Sequence, residues 1–286
     1  MKVRRRSLRL GLAFAASVAA SAAALADDPN ASMRYVGIGA QRDASDNQSV
    51  LATLSLPVGQ RHWVQFSGGQ TRVEQDAAPH RATVLGAGVG TLGDSWLAAL
   101  NATHRRDGER FRQTDWLATL EWRGDLADIG LDGSYRDARR QGTAVPTGSQ
   151  RLKGAGLGIH GGVKLGERTR LYGSAMRYRL RSNDATSTPP PLVQALTSQS
   201  PLVARDELAL RRSLMAGASH RFDGVAVSAE YLGDKLLNTP GTVHTVQLKA
   251  GIEPVPGWTL VPALGRSRGS GGEGVNFGAL SVTRTW

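Results

Sequence analysis

Arginine is the side chain with the most chemical potential in this sequence, supplying 30 of its 35 basic residues. Several arginines recur two or four positions apart, which on an extended chain means one face. Arg136 and Arg140 form one such set, Arg177, Arg179 and Arg181 a second, and Arg211 and Arg221 lie together on a third segment, with Lys249 at an equivalent alternate position further on. Guanidinium stays protonated at any physiological pH, so a wall of it in a confined aqueous passage favours anions. The competing reading is that these side chains pair with Asp115, Glu121, Asp132 and Glu230 and fill a narrow interior.

The residue types that usually carry catalysis are scattered. His62, His80, His104, His160, His220 and His244 fall in different segments, without metal-ligand spacing or the context of a nucleophile elbow. His160, set among glycines in 157–162, reads as an interior side chain rather than a base. The glycine-rich stretches 86–90 and 154–162 lack the Lys-Ser/Thr ending of a phosphate loop, and within strands they permit curvature and close packing. With no cysteine, disulfides, thiolate catalysis and cysteine-ligated metal are excluded together. No catalytic residue, metal site or cofactor is expected. The net charge of +11 includes five basic residues before position 10, leaving +6 for the rest, and its even spread does not suit nucleic acid.

Lys2, Arg4, Arg5, Arg6 and Arg9 precede an apolar run from Leu10 to Leu25 that ends in Ala24, Leu25 and Ala26, the layout of a secretory signal peptide. Residues 1–26 are therefore expected to be removed, leaving 27–286 as a single domain. No later stretch has the length and apolarity of a membrane helix. Instead, segments of about ten residues with period-2 alternation are separated by turns rich in Gly, Asp, Asn or Pro. Strands are expected near 33–42, 48–57, 61–72, 80–91, 95–105, 110–122 and 128–139. A second series follows near 151–164, 168–181, 206–221, 225–235, 242–253, 257–267 and 274–286. Merging or splitting one hairpin would make this count twelve or sixteen. Short turns and longer polar loops alternate, as an up-and-down barrel requires. The longest loop, 182–205, carries Pro189, Pro190 and Pro191 ahead of a segment, 192–198, that suits one or two helical turns.

Alternation assigns faces in two strands. Val225, Val227, Ala229 and Tyr231, and then Val246, Leu248, Ala250 and Ile252, are placed outward, with Lys249 inward. Trp63, Trp96, Trp122, Tyr172 and Trp258 lie near expected short turns, and Trp286 ends the chain, which suits an aromatic belt at a membrane interface. Leu280, Val282 and Trp286 share one face of the last strand, and there the sequence resembles the C-terminal signature of Gram-negative outer-membrane β-barrel proteins. The resemblance implies an all-β, transmembrane, antiparallel up-and-down barrel in the outer membrane. It also implies recognition by the barrel-assembly machinery and contact with outer-membrane lipid and lipopolysaccharide. The first functional expectation is a porin-like channel or secretion exit for small polar or anionic solutes. The alternatives are a structural or surface-interaction barrel with a plugged lumen, then a lipid- or peptide-modifying barrel enzyme.

Overall fold

The computed structural model describes residues 34–44, 46–73, 80–107, 111–140, 150–182, 210–236, 241–269 and 274–286. The expected signal segment, the 182–205 loop beyond Ser182 and its helical turns lie outside these residues. Fourteen strands run in order: β1 Tyr35–Asp43, β2 Gln48–Val58, β3 His62–Val73, β4 His80–Leu92, β5 Trp96–Asp107, β6 Phe111–Arg123 and β7 Ala127–Arg140. They continue as β8 Gln150–Leu165, β9 Thr169–Ser182, β10 Leu210–Phe222, β11 Val225–Leu236, β12 Thr242–Val255, β13 Trp258–Arg268 and β14 Val275–Thr285. Gly59, Gly166, Gly224 and Gly257 take φ of 74°, 74°, 77° and 78° in four of the short turns. An L side chain is strained there, and glycine lets each hairpin reverse in two or three residues.

Every strand pairs antiparallel with its sequence neighbours, and β14 pairs with β1 to close the barrel. Tyr35 lies opposite Thr285 at that seam, so both ends of the described chain sit at the short-turn end. Closure leaves no sheet edge, which is the condition for strands to cross hydrocarbon with every backbone polar group satisfied.

Register divides the wall cleanly into two faces. In β1 the burial alternates residue by residue, with Tyr35, Gly37, Gly39, Gln41 and Asp43 inward, and cross-strand pairing carries that parity around the ring. Leucine, isoleucine and valine dominate the middle of the outer face, where Leu157 and Leu264 are 78% and 70% exposed. The outward positions of β11 and β12 include Val227, Tyr231, Val246 and Leu248, all exposed. Serine, threonine, glutamine and charged residues fill the inner face: Ser55, Thr71, Gln113, Thr245, Gln247 and Ser281 are all buried there. A small apolar cluster of Leu210 and Val243 with Tyr178 packs inside the long-loop end.

The outer face gives a direct test. Leu248 lies mid-strand, opposite Ala229 and Leu264, at a depth where arginine costs about 2–4 kcal/mol. Leu248→Arg is expected to lower barrel stability by that amount in urea unfolding from vesicles.

Candidate functional site in the barrel lumen

Inner-face side chains from β2 to β10 enclose a cavity of about 590 Å³ in the half of the lumen nearer the long loops. Its wall mixes hydroxyls and amides, such as Thr53, Ser67, Asn101 and Thr103, with apolar Leu51, Val84, Leu117, Met176 and Leu210. Arg105, Asp115 and Arg136 add charge. The Arg136 guanidinium donates to Asp115 across β6–β7, and the Gln113 amide donates to the same carboxylate. A charged group is thus held in place against the wall.

Nearer the short turns the lumen carries a denser ionic network. Glu121 accepts from Arg123 at 2.5 Å, and His160 lies between Glu121 and Asp132, with ring nitrogens 3.2 Å and 2.7 Å from their oxygens. Thr119 donates to Asp132 at 2.8 Å, and Arg170 to Asp128 at 2.6 Å. On the facing wall Glu230 accepts from Lys249 and Tyr172, both at 2.8 Å, and from Gln247 at 2.5 Å. With both His160 nitrogens occupied by carboxylates, neither is placed to take a proton from a nucleophile.

How far the inner-face rings reach into the lumen is set by where the glycines fall. Trp63 lies directly opposite Gly90, His160 opposite Gly130, Tyr178 opposite Gly156, Tyr172 opposite both Gly162 and Gly217, and Phe277 opposite Gly265. A Cβ at Gly90, Gly130, Gly156, Gly217 or Gly265 would run into the ring it faces. Each ring therefore lies flat on the bare backbone of its neighbour instead of projecting toward the axis. The glycine runs 86–90 and 154–162 place Gly86, Gly88 and Gly90, and then Gly154, Gly156, Gly158 and Gly162, on this inner face.

Several sequence-based assignments need correction. Arg177 and Arg179 are on the outer face, opposite Leu157 and Ala155, and both are exposed. Arg181 pairs in register with Lys153; its side chain, like that of Arg140, lies outside the described set. Arg211 sits at a β-bulge between Leu210 and Arg212, exposed, away from the cavity wall. The error has a physical source: the parity of β9 is fixed by its pairing with β8, and the register that turns Tyr172 and Met176 inward turns Arg177 and Arg179 outward. Arg136, Arg221 and Lys249 occupy inner-face positions, Lys249 only 7% exposed. Arg105, Arg123 and Arg170 are inner-face cations that sequence reasoning missed. A cross-strand register would have found them, since Arg105 opposes Gln113 and Arg170 opposes Lys164.

The aromatic set divides in the same way. Trp96, Trp122, Trp258 and Trp286 are exposed, with Trp96 directly opposite Trp122 on the outer face. Trp63 and Tyr172 instead face the lumen over their glycines. Trp116 also lies on the outer face, paired with Tyr135. Leu280 and Val282 are outward in β14, opposite Pro262 and Leu260, and Arg284 lies 5.4 Å from the Trp258 ring centroid.

No family model matches the sequence, and no curated protein matches it. Among solved structures, the barrel is similar to that of the CymD monoaromatic hydrocarbon channel, with a TM-score of 0.58 and 10% identity over 90% of this chain and 91% of that one. A KdgM porin in complex with disordered oligogalacturonate gives a TM-score of 0.45 at 8% identity, covering 88% of this chain and 99% of that one. OpdK of Pseudomonas aeruginosa with vanillate gives 0.43 at 9% identity, covering 88% and 97%. What the chain shares with the CymD barrel at such identity is the fold. Closed, apolar outside and polar within, the chain is a fourteen-stranded antiparallel β-barrel of the membrane-spanning kind, similar in architecture to the CymD channel.

Proposed function

We propose that the barrel is a passive porin-like channel for small organic solutes that combine an apolar body with hydroxyl or carboxylate groups. The observation that carries this reading is the cavity of about 590 Å³, large enough for a small organic molecule and lined by interleaved hydroxyl, amide and aliphatic side chains. Arg136, held by Asp115, offers a solute carboxylate a donor without presenting a continuous positive wall. Acidic and basic side chains alternate around the rest of the lumen, so the anion channel expected from a wall of arginine gives way to a weakly selective one. The CymD barrel, described as a monoaromatic hydrocarbon channel, supports this reading only through its fold.

The test is conductance of the purified chain in a planar bilayer, with a salt gradient for selectivity and vesicle swelling for solute uptake. Expected is steady conductance with cation and anion permeabilities within about threefold of each other, as a lumen of mixed charge dictates. Faster swelling is expected with small hydroxylated aromatic acids than with sugars of equal size. One observation favours the plugged barrel: the paired network of Glu121, Asp132, His160, Glu230 and Lys249 crowds the lumen near the short turns. A folded barrel that never conducts would establish that alternative and overturn the channel.

A further inference from the structure

Along the cavity wall, charge, apolar side chains and amides follow one another in a fixed order. Charge stands toward the long loops, where Asp115 on β6 lies directly opposite Arg136 on β7. Arg136 donates to that carboxylate through Nε, and both of its terminal nitrogens are left for another acceptor. Two residues along β6 toward the short turns comes Leu117, which lines the cavity and is 38% exposed within it. Directly opposite Leu117 is Asn101, whose amide lies over bare Gly88, where a Cβ would strike it. Gln65 flanks that glycine on its other side. Hydroxyls occur at every height, so the charge and the two amides are what mark the ends.

The apolar layer between those ends continues round the wall. At a tilt of about 35°, one step to the next strand along a register row gains as much height as one residue of strand. Leu51 on β2 leads through Gly69, Val84 and Arg105 to Gln113 on β6, four strands on, and Leu117 lies four residues back toward the short turns. The two leucines are therefore level. By the same count Leu117 leads through Ser134 and Gly156 to Tyr178 on β9, and Met176, two residues back, is level to within one residue. Leu51 and Met176 stand seven strands apart, on opposing walls of the fourteen-stranded ring. Each leans on a glycine of the neighbouring strand, Leu51 on Gly69 and Met176 on Gly158, so neither projects fully toward the axis.

We propose that this stretch of the lumen is the selectivity element of the channel: Leu51, Leu117 and Met176 form an apolar girdle between a carboxylate site at Arg136 and a hydrogen-bonding floor at Gln65 and Asn101. The girdle presupposes the channel proposed above and fixes the order in which a solute meets its wall. Two strand spacings and two residues of strand separate the Cα positions of Asn101 and Arg136, about 12 Å. A hydrogen bond of about 2.9 Å at either end leaves about 6 Å between the terminal polar atoms of the solute. That is the span of a six-membered ring carrying a carboxylate and a hydroxyl at opposite positions. Its body then lies against the girdle, where an apolar surface gains by leaving water and a bare ion does not.

The test uses the full chain in a planar bilayer, with trans-4-hydroxycyclohexanecarboxylate, its 2-hydroxy isomer and gluconate added in turn. Current blocks by the 4-hydroxy acid are expected to last about tenfold longer than those by gluconate, the scale of partly burying a ring. They should outlast those of the 2-hydroxy isomer about fivefold, the scale of one hydrogen bond. Leu117→Asn is expected to raise potassium chloride conductance and bring the 4-hydroxy acid and gluconate within about twofold of each other, whereas Asn101→Ala should erase only the difference between the isomers. Equal block times for the 4-hydroxy acid and gluconate in a conducting, unaltered chain would overturn the girdle and leave the channel standing. A chain that never conducts would overturn the channel, and saturation-transfer NMR of the same acids on the detergent-solubilised barrel then decides the site. Equal saturation of the two isomers overturns it, and preference for the 4-hydroxy isomer supports it. Both comparisons use the unaltered chain and stand even if a variant does not fold.

Discussion

Replacing Gly90 by valine should lower single-channel conductance by roughly half or more while leaving a folded barrel, because the wall is close-packed and the indole has nowhere to go but inward. Trp63 lies flat over Gly90, and a Cβ there would occupy the space of its ring. The double variant G90V/W63A should recover most of the conductance, since valine alone takes little of the lumen. Gly156→Val should act in the same way on Tyr178, which lines the main cavity. Unchanged conductance in G90V, with heat-modifiable mobility on gels intact, would mean that the ring is not what limits the passage.

Lys249→Met is expected to cost the barrel about 3 kcal/mol in urea unfolding, the penalty for leaving a largely buried charge without its partner. Lys249 and Glu230 are 2.8 Å apart, with side chains only 7% and 12% exposed. Removing the amine leaves the Glu230 carboxylate with two neutral donors, Tyr172 and Gln247. It should also shift ion selectivity toward cations. The double variant K249M/E230Q should regain most of the lost stability and return selectivity toward that of the unaltered chain, because the loss comes from the orphaned charge rather than the missing contact. Equal costs for the single and double variants would show that the pair contributes through packing alone.

The barrel was legible because its information is local. Gly224 announces a turn, and Val246, Leu248 and Ala250 announce a strand with one apolar face, without reference to any other strand. The starts and stops observed for β2 and β11 differ from those expected by no more than a residue. The interior was less legible because its information is relational. Whether Trp63 belongs to a membrane belt or to the lumen depends on register with Gly90, twenty-seven positions away. Arg177 and Arg136 look alike in sequence, yet one stands exposed on the outer face and the other meets a carboxylate on the next strand. Alternation fixes which residues share a face; only pairing, and height relative to the hydrocarbon, fixes what that face meets.

The seam between β1 and β14 has a kinetic consequence. Every other strand pair joins neighbours along the chain, and each hairpin can form with little loop-closure entropy. Tyr35 and Thr285 must instead meet across the whole described sequence, so the last contact made is also the one of greatest sequence separation. Until it forms, the sheet is an open ribbon with two raw edges, each a template for pairing with another chain. Deletion of β14 should therefore produce an aggregating sheet rather than a smaller barrel.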